Sequence, residues 1–178
     1  MTSRKLLRTH AALLASLDLE IEQASDPAVY QASAPAVSGW SVKDHLEHLS
    51  IVTGGLVRWI ERACEGDPEL DSGGSPRLIG RIVLLVGALP RGRAKAPERT
   101  RPKGADAEDL LARFREIRER VEGLRDSFPQ LLASDATRNH FIFGDLNAAQ
   151  WLRFVGIHAH HHHKVIRDVL KVASVSAP

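Results

Sequence analysis

A single cysteine, Cys64, stands in this chain of 178 residues, so no internal disulfide can form and the chain fits a reducing compartment. Charge of one sign is equally scarce. The 24 basic and 22 acidic residues leave a formal charge of +2, too balanced for a nucleic-acid or polyanion binder. Long apolar runs are missing as well: the longest, Ile82 to Leu89, contains Gly87 and is too short to cross a bilayer. No apolar N-terminal core precedes a cleavage site. These absences together predict a cytoplasmic protein with no nucleic-acid and no membrane partner. Strand-like alternation and internal repeats are lacking too, and the length suits one domain over residues 1–178 that buries a core without staples.

Histidine, by contrast, is plentiful. Five of the nine histidines fall within the six positions from His158 to His163. Trp151, Val155, His158, His162, Val165 and Val169 follow at spacings of three and four, which places them on one helical face. His158 and His162 therefore stand where core residues would. An imidazole pair at i and i+4 can aim two nitrogens at one point, and neutral imidazole is the commonest side-chain metal ligand. An affinity tag is the bland alternative. Against it, the run ends fifteen residues before Pro178 and is embedded in apolar periodicity that continues through Ile166, Val169 and Leu170. His160 and His163 turn away from the stripe and read as surface residues.

Four long one-sided segments organise the rest. The first, Arg4 to Gln23, carries Leu6, His10, Leu13, Leu17 and Ile21 inward and ends at Asp26-Pro27. After Trp40, Ser41-Val-Lys-Asp44 has the spacing of a capping box and opens a second helix. Val42, Leu46, Leu49, Leu56, Ile60 and Ala63 form its apolar face, with His45, His48, Val52 and Trp59 on the adjoining strip. Gly54-Gly55 in its middle costs about 1 kcal/mol each relative to alanine, which a close crossing or a kink would offset. Pro76 to Leu89 reads as a shorter apolar helix across the bundle, and the stretch from Arg91 to Lys103, with six basic residues and one acid, as a solvated connection. The third long helix opens near Asp106 and runs through Phe128 to Pro129. Asn147-Ala-Ala-Gln150, another capping-box spacing, starts the histidine helix. This pattern predicts an all-α, antiparallel four-helix bundle with a short extra helix between the second and third long ones, its ligands meeting inside.

A catalytic zinc or nickel takes three protein ligands and keeps a further position for water or substrate, so the His158/His162 pair needs a partner. His48 leads, beside the apolar face of the second helix and about two turns from a Trp40 expected to be buried. His45, one turn earlier, is its nearest rival, and spacing alone does not separate them. His10 and His140, near a helix end and in a loop, trail.

Trp40-Ser41 followed by His48-Leu49, and later Phe143-Gly-Asp-Leu-Asn-Ala-Ala-Gln150-Trp151 and His158-Ala-His-His161-His162, resemble the DinB-like superfamily, especially a branch of proteins of unknown function. The resemblance covers most of the chain in order. It implies a four-helix bundle, often dimeric, that holds a divalent metal on one histidine of the second helix and the pair on the last, which here are His48, His158 and His162. Family members often carry glutamine three residues after the last ligand; this chain has Val165, without a hydrogen-bonding side chain. Asp44, Glu47 and Asp145 are the open candidates for a carboxylate base. Characterised relatives use low-molecular-weight thiols, so the resemblance implies a metal-dependent S-transferase or hydrolase acting on a small-molecule substrate, with a thiol as co-substrate. The contrasting class is a stress-associated metal-binding or small-ligand-binding protein in which the metal only ties helices together.

Overall fold

The computed structural model describes residues 1–90 and 96–175. Within them the chain is mostly helical, with one two-stranded sheet. Four long helices carry the architecture: α1 (Ser3–Ser25), α3 (Val42–Glu65), α5 (Ala107–Gly123) and α7 (Ala148–Val175). Each packs on two others, α1 and α3 both lying against α5 and α7. Their inward stripes bury Leu6, Leu13 and Leu17 of α1, Leu46, Leu49 and Ile60 of α3, Leu110 and Phe114 of α5, and Leu152 and Ile166 of α7. Each fully buried aliphatic side chain contributes roughly 1.5–3 kcal/mol of transfer free energy, which makes this shared interior the main term holding the helices together.

Both predicted capping boxes form. The Ser41 hydroxyl accepts the Asp44 amide at 3.3 Å while the Asp44 carboxylate accepts the Ser41 amide at 2.9 Å, which fixes where α3 begins. At the start of α7, Asn147 Oδ1 accepts the Gln150 amide at 2.9 Å and Gln150 Oε1 accepts that of Asn147 at 3.0 Å. The rotational phase of both histidine-bearing helices is set by these turns. Gly54 marks a close crossing: a Cβ there would stand 3.2 Å from Ile117 Cδ1 of α5, whereas Gly55 faces open space.

Several expectations need correction. Asp26-Pro27 ends α1 but also starts a short α2 (Pro27–Gln31), whose first amides the Asp26 carboxylate accepts. The third long helix stops at Gly123 rather than Phe128. Its apolar spacing runs on because Leu124 and Leu131 are still buried, yet Pro129, which lacks an N–H, sits in the first turn of a separate α6 (Phe128–Ala133). Strands do occur: β1 (Thr137–His140) pairs antiparallel with β2 (Gly144–Asn147), too short for alternation to register in the sequence. The predicted apolar helix forms as α4 (Leu78–Val86), but only Gly80 and Val83 are buried. A Cβ on Gly80 would lie 2.5 Å from the Phe143 carbonyl oxygen, so glycine is what lets α4 rest on the hairpin. Its outer face stays exposed, Leu78 at 74%, Leu85 at 78% and Val86 at 68%.

Candidate metal centre

On α3, His45 and His48 are three residues apart; on α7, His158 and His162 are four apart. Because α3 packs on α7, their rings meet between the two helices. Nε2 of His158 lies 3.3 Å from Nε2 of His48 and 3.2 Å from Nε2 of His162. One ligand atom from each of these three histidines falls within 4.8 Å of the others. Nitrogens bound at about 2.0–2.1 Å to a tetrahedral zinc stand about 3.3 Å from each other, a separation that the His158–His48 and His158–His162 pairs match.

The electrostatics suit it too. Burial holds the pKa of His48 below the usual imidazole value, against the pull of its backbone partner. Burial, with His48 next in weight, places His158 well below it, and burial together with His158 and His48 depresses His162 strongly. All three are therefore neutral near pH 7, the form in which imidazole donates a lone pair.

Neighbouring groups orient the rings. Nδ1 of His48 donates to the Thr100 carbonyl at 2.6 Å, and since a carbonyl only accepts, Nε2 of His48 is left bare. Thr100 closes a 3-10 turn, Glu98–Thr100, and the residues after it are tied down by Glu47. The buried Glu47 carboxylate accepts the amides of Lys103 at 2.9 Å, Gly104 at 2.9 Å and Ala105 at 3.1 Å. Trp40 covers the cluster, its ring 5.1 Å from that of His48 and 6.3 Å from that of His162, nearly parallel to the latter at 17°. It is half-buried, not buried as expected.

The three histidines that the sequence motifs single out thus come together. A family model of the DinB superfamily matches residues 4–166. The chain belongs to the DinB superfamily. No curated protein and no solved structure matches it. Among the described residues of this DinB-superfamily chain, His48, His158 and His162 form a group that could hold a metal ion, and the family is metal-associated.

The other candidates occupy different places. The rival His45 does not face the convergent point; its Nδ1 meets Nδ1 of His162 at 2.9 Å and its Nε2 meets the Ser38 hydroxyl at 3.0 Å. His10 is a buried structural residue bonded to the Val121 carbonyl at 2.7 Å. His140 organises the hairpin turn: its Nδ1 accepts the amides of Ile142 and Phe143, its ring stacks 4.2 Å from Phe143, and burial, with Arg99 adding, pushes its pKa down to about 4. His160 is exposed, as predicted. His163 is not a plain surface residue, because α7 also faces α1, where the ring meets the buried Glu20 carboxylate at 3.0 Å. Burial raises the Glu20 pKa, and His163 opposes the rise.

Each of the three candidate carboxylate bases is engaged in hydrogen bonds of its own. Asp44 serves the capping box, Glu47 the 103–105 backbone, and Asp145 accepts from the Asn139 amide group at 2.8 Å. Of the basic connection, residues 91–95 lie outside the described residues; beyond them it is not a plain solvated loop, since it supplies the Thr100 carbonyl to His48. A groove of about 470 Å³ lies between the start of α1 and Arg153, and one of about 230 Å³ beside Asp67 and Asp135; neither is lined by the clustered histidines. No described helix is long and apolar enough to cross a membrane.

Proposed function

We propose that this chain is a divalent-metal-dependent enzyme that uses a low-molecular-weight thiol, an S-transferase or a hydrolase acting on a small-molecule substrate in the cytoplasm. The observation that carries the reading is the convergence of three neutral imidazoles, with no carboxylate or thiolate of the chain among them. Zinc or nickel held there by His48, His158 and His162 would keep its full positive charge to polarise water or hold a thiol as thiolate. The chain's residues do the rest: Thr100 and Glu47 fix the His48 ring, and Trp40 shields one side of the cluster from bulk water. The thiol comes from outside. Burial, then Glu61 and Glu65, pushes the Cys64 thiol up to about 11, so the chain's own sulfur is a poor nucleophile.

The four long helices are read as an antiparallel bundle. Two copies are proposed to associate through the exposed face of α4, where Leu78, Ile82, Leu85 and Val86 offer an apolar stripe of the kind that marks contact surfaces. Leu85→Glu should then convert a dimer into a monomer of 19.6 kDa by light scattering. An unchanged dimer would place the interface elsewhere.

The enzyme reading is tested with cobalt-substituted protein. Small thiols should raise a thiolate-to-metal charge-transfer band, and turnover should follow when an electrophile is added. A cobalt spectrum indifferent to every thiol, with the remaining coordination position closed by protein, would replace the enzyme by a metal-binding protein whose cation only ties α3 to α7.

A further inference from the structure

His45 touches the ligand cluster without belonging to it. Its Nδ1 is 2.9 Å from Nδ1 of His162, and its Nε2 is 3.0 Å from the Ser38 hydroxyl, which already accepts the Trp40 amide at 3.0 Å. A neutral imidazole carries one ring proton, so two nitrogens facing each other at that distance must be one donor and one acceptor. The chain Ser38–His45–His162 consequently has two polarities. In the first, the Ser38 hydroxyl donates to His45 Nε2, His45 Nδ1 donates to His162 Nδ1, and the His162 proton sits on Nε2, directed at His158 Nε2 3.2 Å away. In the second, His162 Nδ1 donates to His45 Nδ1, His45 Nε2 donates to the Ser38 oxygen, and the hydroxyl proton turns elsewhere. Both arrangements hold three protons, so passing from one to the other changes no charge.

Only the second arrangement leaves a lone pair on His162 Nε2 at the point where the three rings converge. His48 needs no such device, since the Thr100 carbonyl fixes its tautomer. Nδ1 of His158 is buried with no hydrogen-bond partner among the described residues, and its Nε2 faces the bare Nε2 of His48 at 3.3 Å, so the His158 proton sits on Nε2 and the first polarity would set two N–H groups against each other. His162 is the one ligand whose tautomer depends on another side chain able to take either role.

We infer that His45 is a positioning residue that accepts Nδ1–H of His162 and passes the constraint to Ser38, which keeps a lone pair on His162 Nε2 for a divalent cation. The inference rests on the metal-binding reading above. It ties the cluster to the 38–41 turn as well, because Ser38 also takes the amide of Trp40, whose ring packs on those of His48 and His162.

The test is zinc affinity, measured by chelator competition on tag-free full-length protein, together with the ring tautomers of histidines labelled with nitrogen-15. In the wild type, the His162 proton should sit on Nδ1 both before and after zinc is added. His45→Phe, which removes the acceptor, should lower zinc affinity about 10–100-fold while one zinc still binds at saturation. His45→Asn, whose Oδ1 keeps an acceptor near the Nδ1 position, should restore affinity to within a few-fold, which a merely space-filling role would not do. Should His45→Phe fold poorly, Ser38→Ala reads the far end of the same chain and should weaken zinc by a smaller factor. Wild-type zinc binding combined with an unaltered affinity in His45→Phe, or with a His162 proton found on Nε2, would overturn the inference alone. Absence of zinc binding in the wild type would overturn the metal reading and this inference with it.

Discussion

Replacing His158 or His162 with alanine should remove stoichiometric divalent metal from the protein, as should His48→Ala, whereas His160→Ala should leave it in place. The three sensitive positions supply the nitrogens that converge, two of the pairs at 3.2 and 3.3 Å, while His160 is exposed on the outer side of α7. Three imidazoles are the minimum for a catalytic zinc, so loss of one leaves two neutral ligands and, at micromolar protein, an empty site. His163→Ala should also retain metal but melt earlier, because the buried Glu20 loses its imidazole partner. Metal analysis of the purified variants checks all of this. Equal metal content in the His48, His158, His160 and His162 variants would refute the ligand assignment, and loss in His45→Ala with retention in His48→Ala would shift it by one turn of α3.

Glu47→Ala carries the next largest expected effect, and it should be felt in both stability and metal affinity. The carboxylate accepts three consecutive backbone amides, those of Lys103, Gly104 and Ala105, from a buried position on α3. Its removal leaves those amides without a partner and should cost about 2–4 kcal/mol, less than three full bonds because the loop can move out to water. The Thr100 carbonyl that orients His48 lies three residues before Lys103, so zinc affinity should fall about 10–100-fold as well. Glu47→Gln should recover part of both effects through its remaining carbonyl oxygen. Thermal unfolding and chelator competition on the two variants read the outcome, and a Glu47→Ala protein with wild-type stability would show that the loop is held by other means.

How much of this was legible in the sequence depends on the kind of interaction. The starts of α3 and α7 are local, each written in four residues, so Ser41–Asp44 and Asn147–Gln150 could be read directly. The pairing of His158 with His162 follows from helical spacing. The choice of His48 over His45 does not, since both lie on the same strip of α3, and the difference arises from the crossing of α3 on α7, which points Nε2 of one at the cluster and Nδ1 of the other at the back of His162. Thr100 was invisible because its contribution is a backbone carbonyl, which any residue could offer. Glu47 did leave a signal, an acid between two histidines on an inward strip, but buried acids serve structure as readily as chemistry. A single apolar stripe describes a helix with one packed face, and α7 has two, against α3 and against α1, so His163 packs although it lies off the stripe. The hairpin at Thr137–His140 and Gly144–Asn147 escaped because its strands are shorter than the alternation that would announce them.

The most direct measurement of the central claim is X-ray absorption spectroscopy, with metal quantification, on protein purified without a nickel column and loaded with zinc. One zinc per chain, with three imidazole nitrogens at about 2.0–2.1 Å and one lighter ligand exchangeable for sulfur on addition of a thiol, is the predicted result. A shell dominated by carboxylate oxygen, or zinc that fails to bind in stoichiometric amount, would contradict the account.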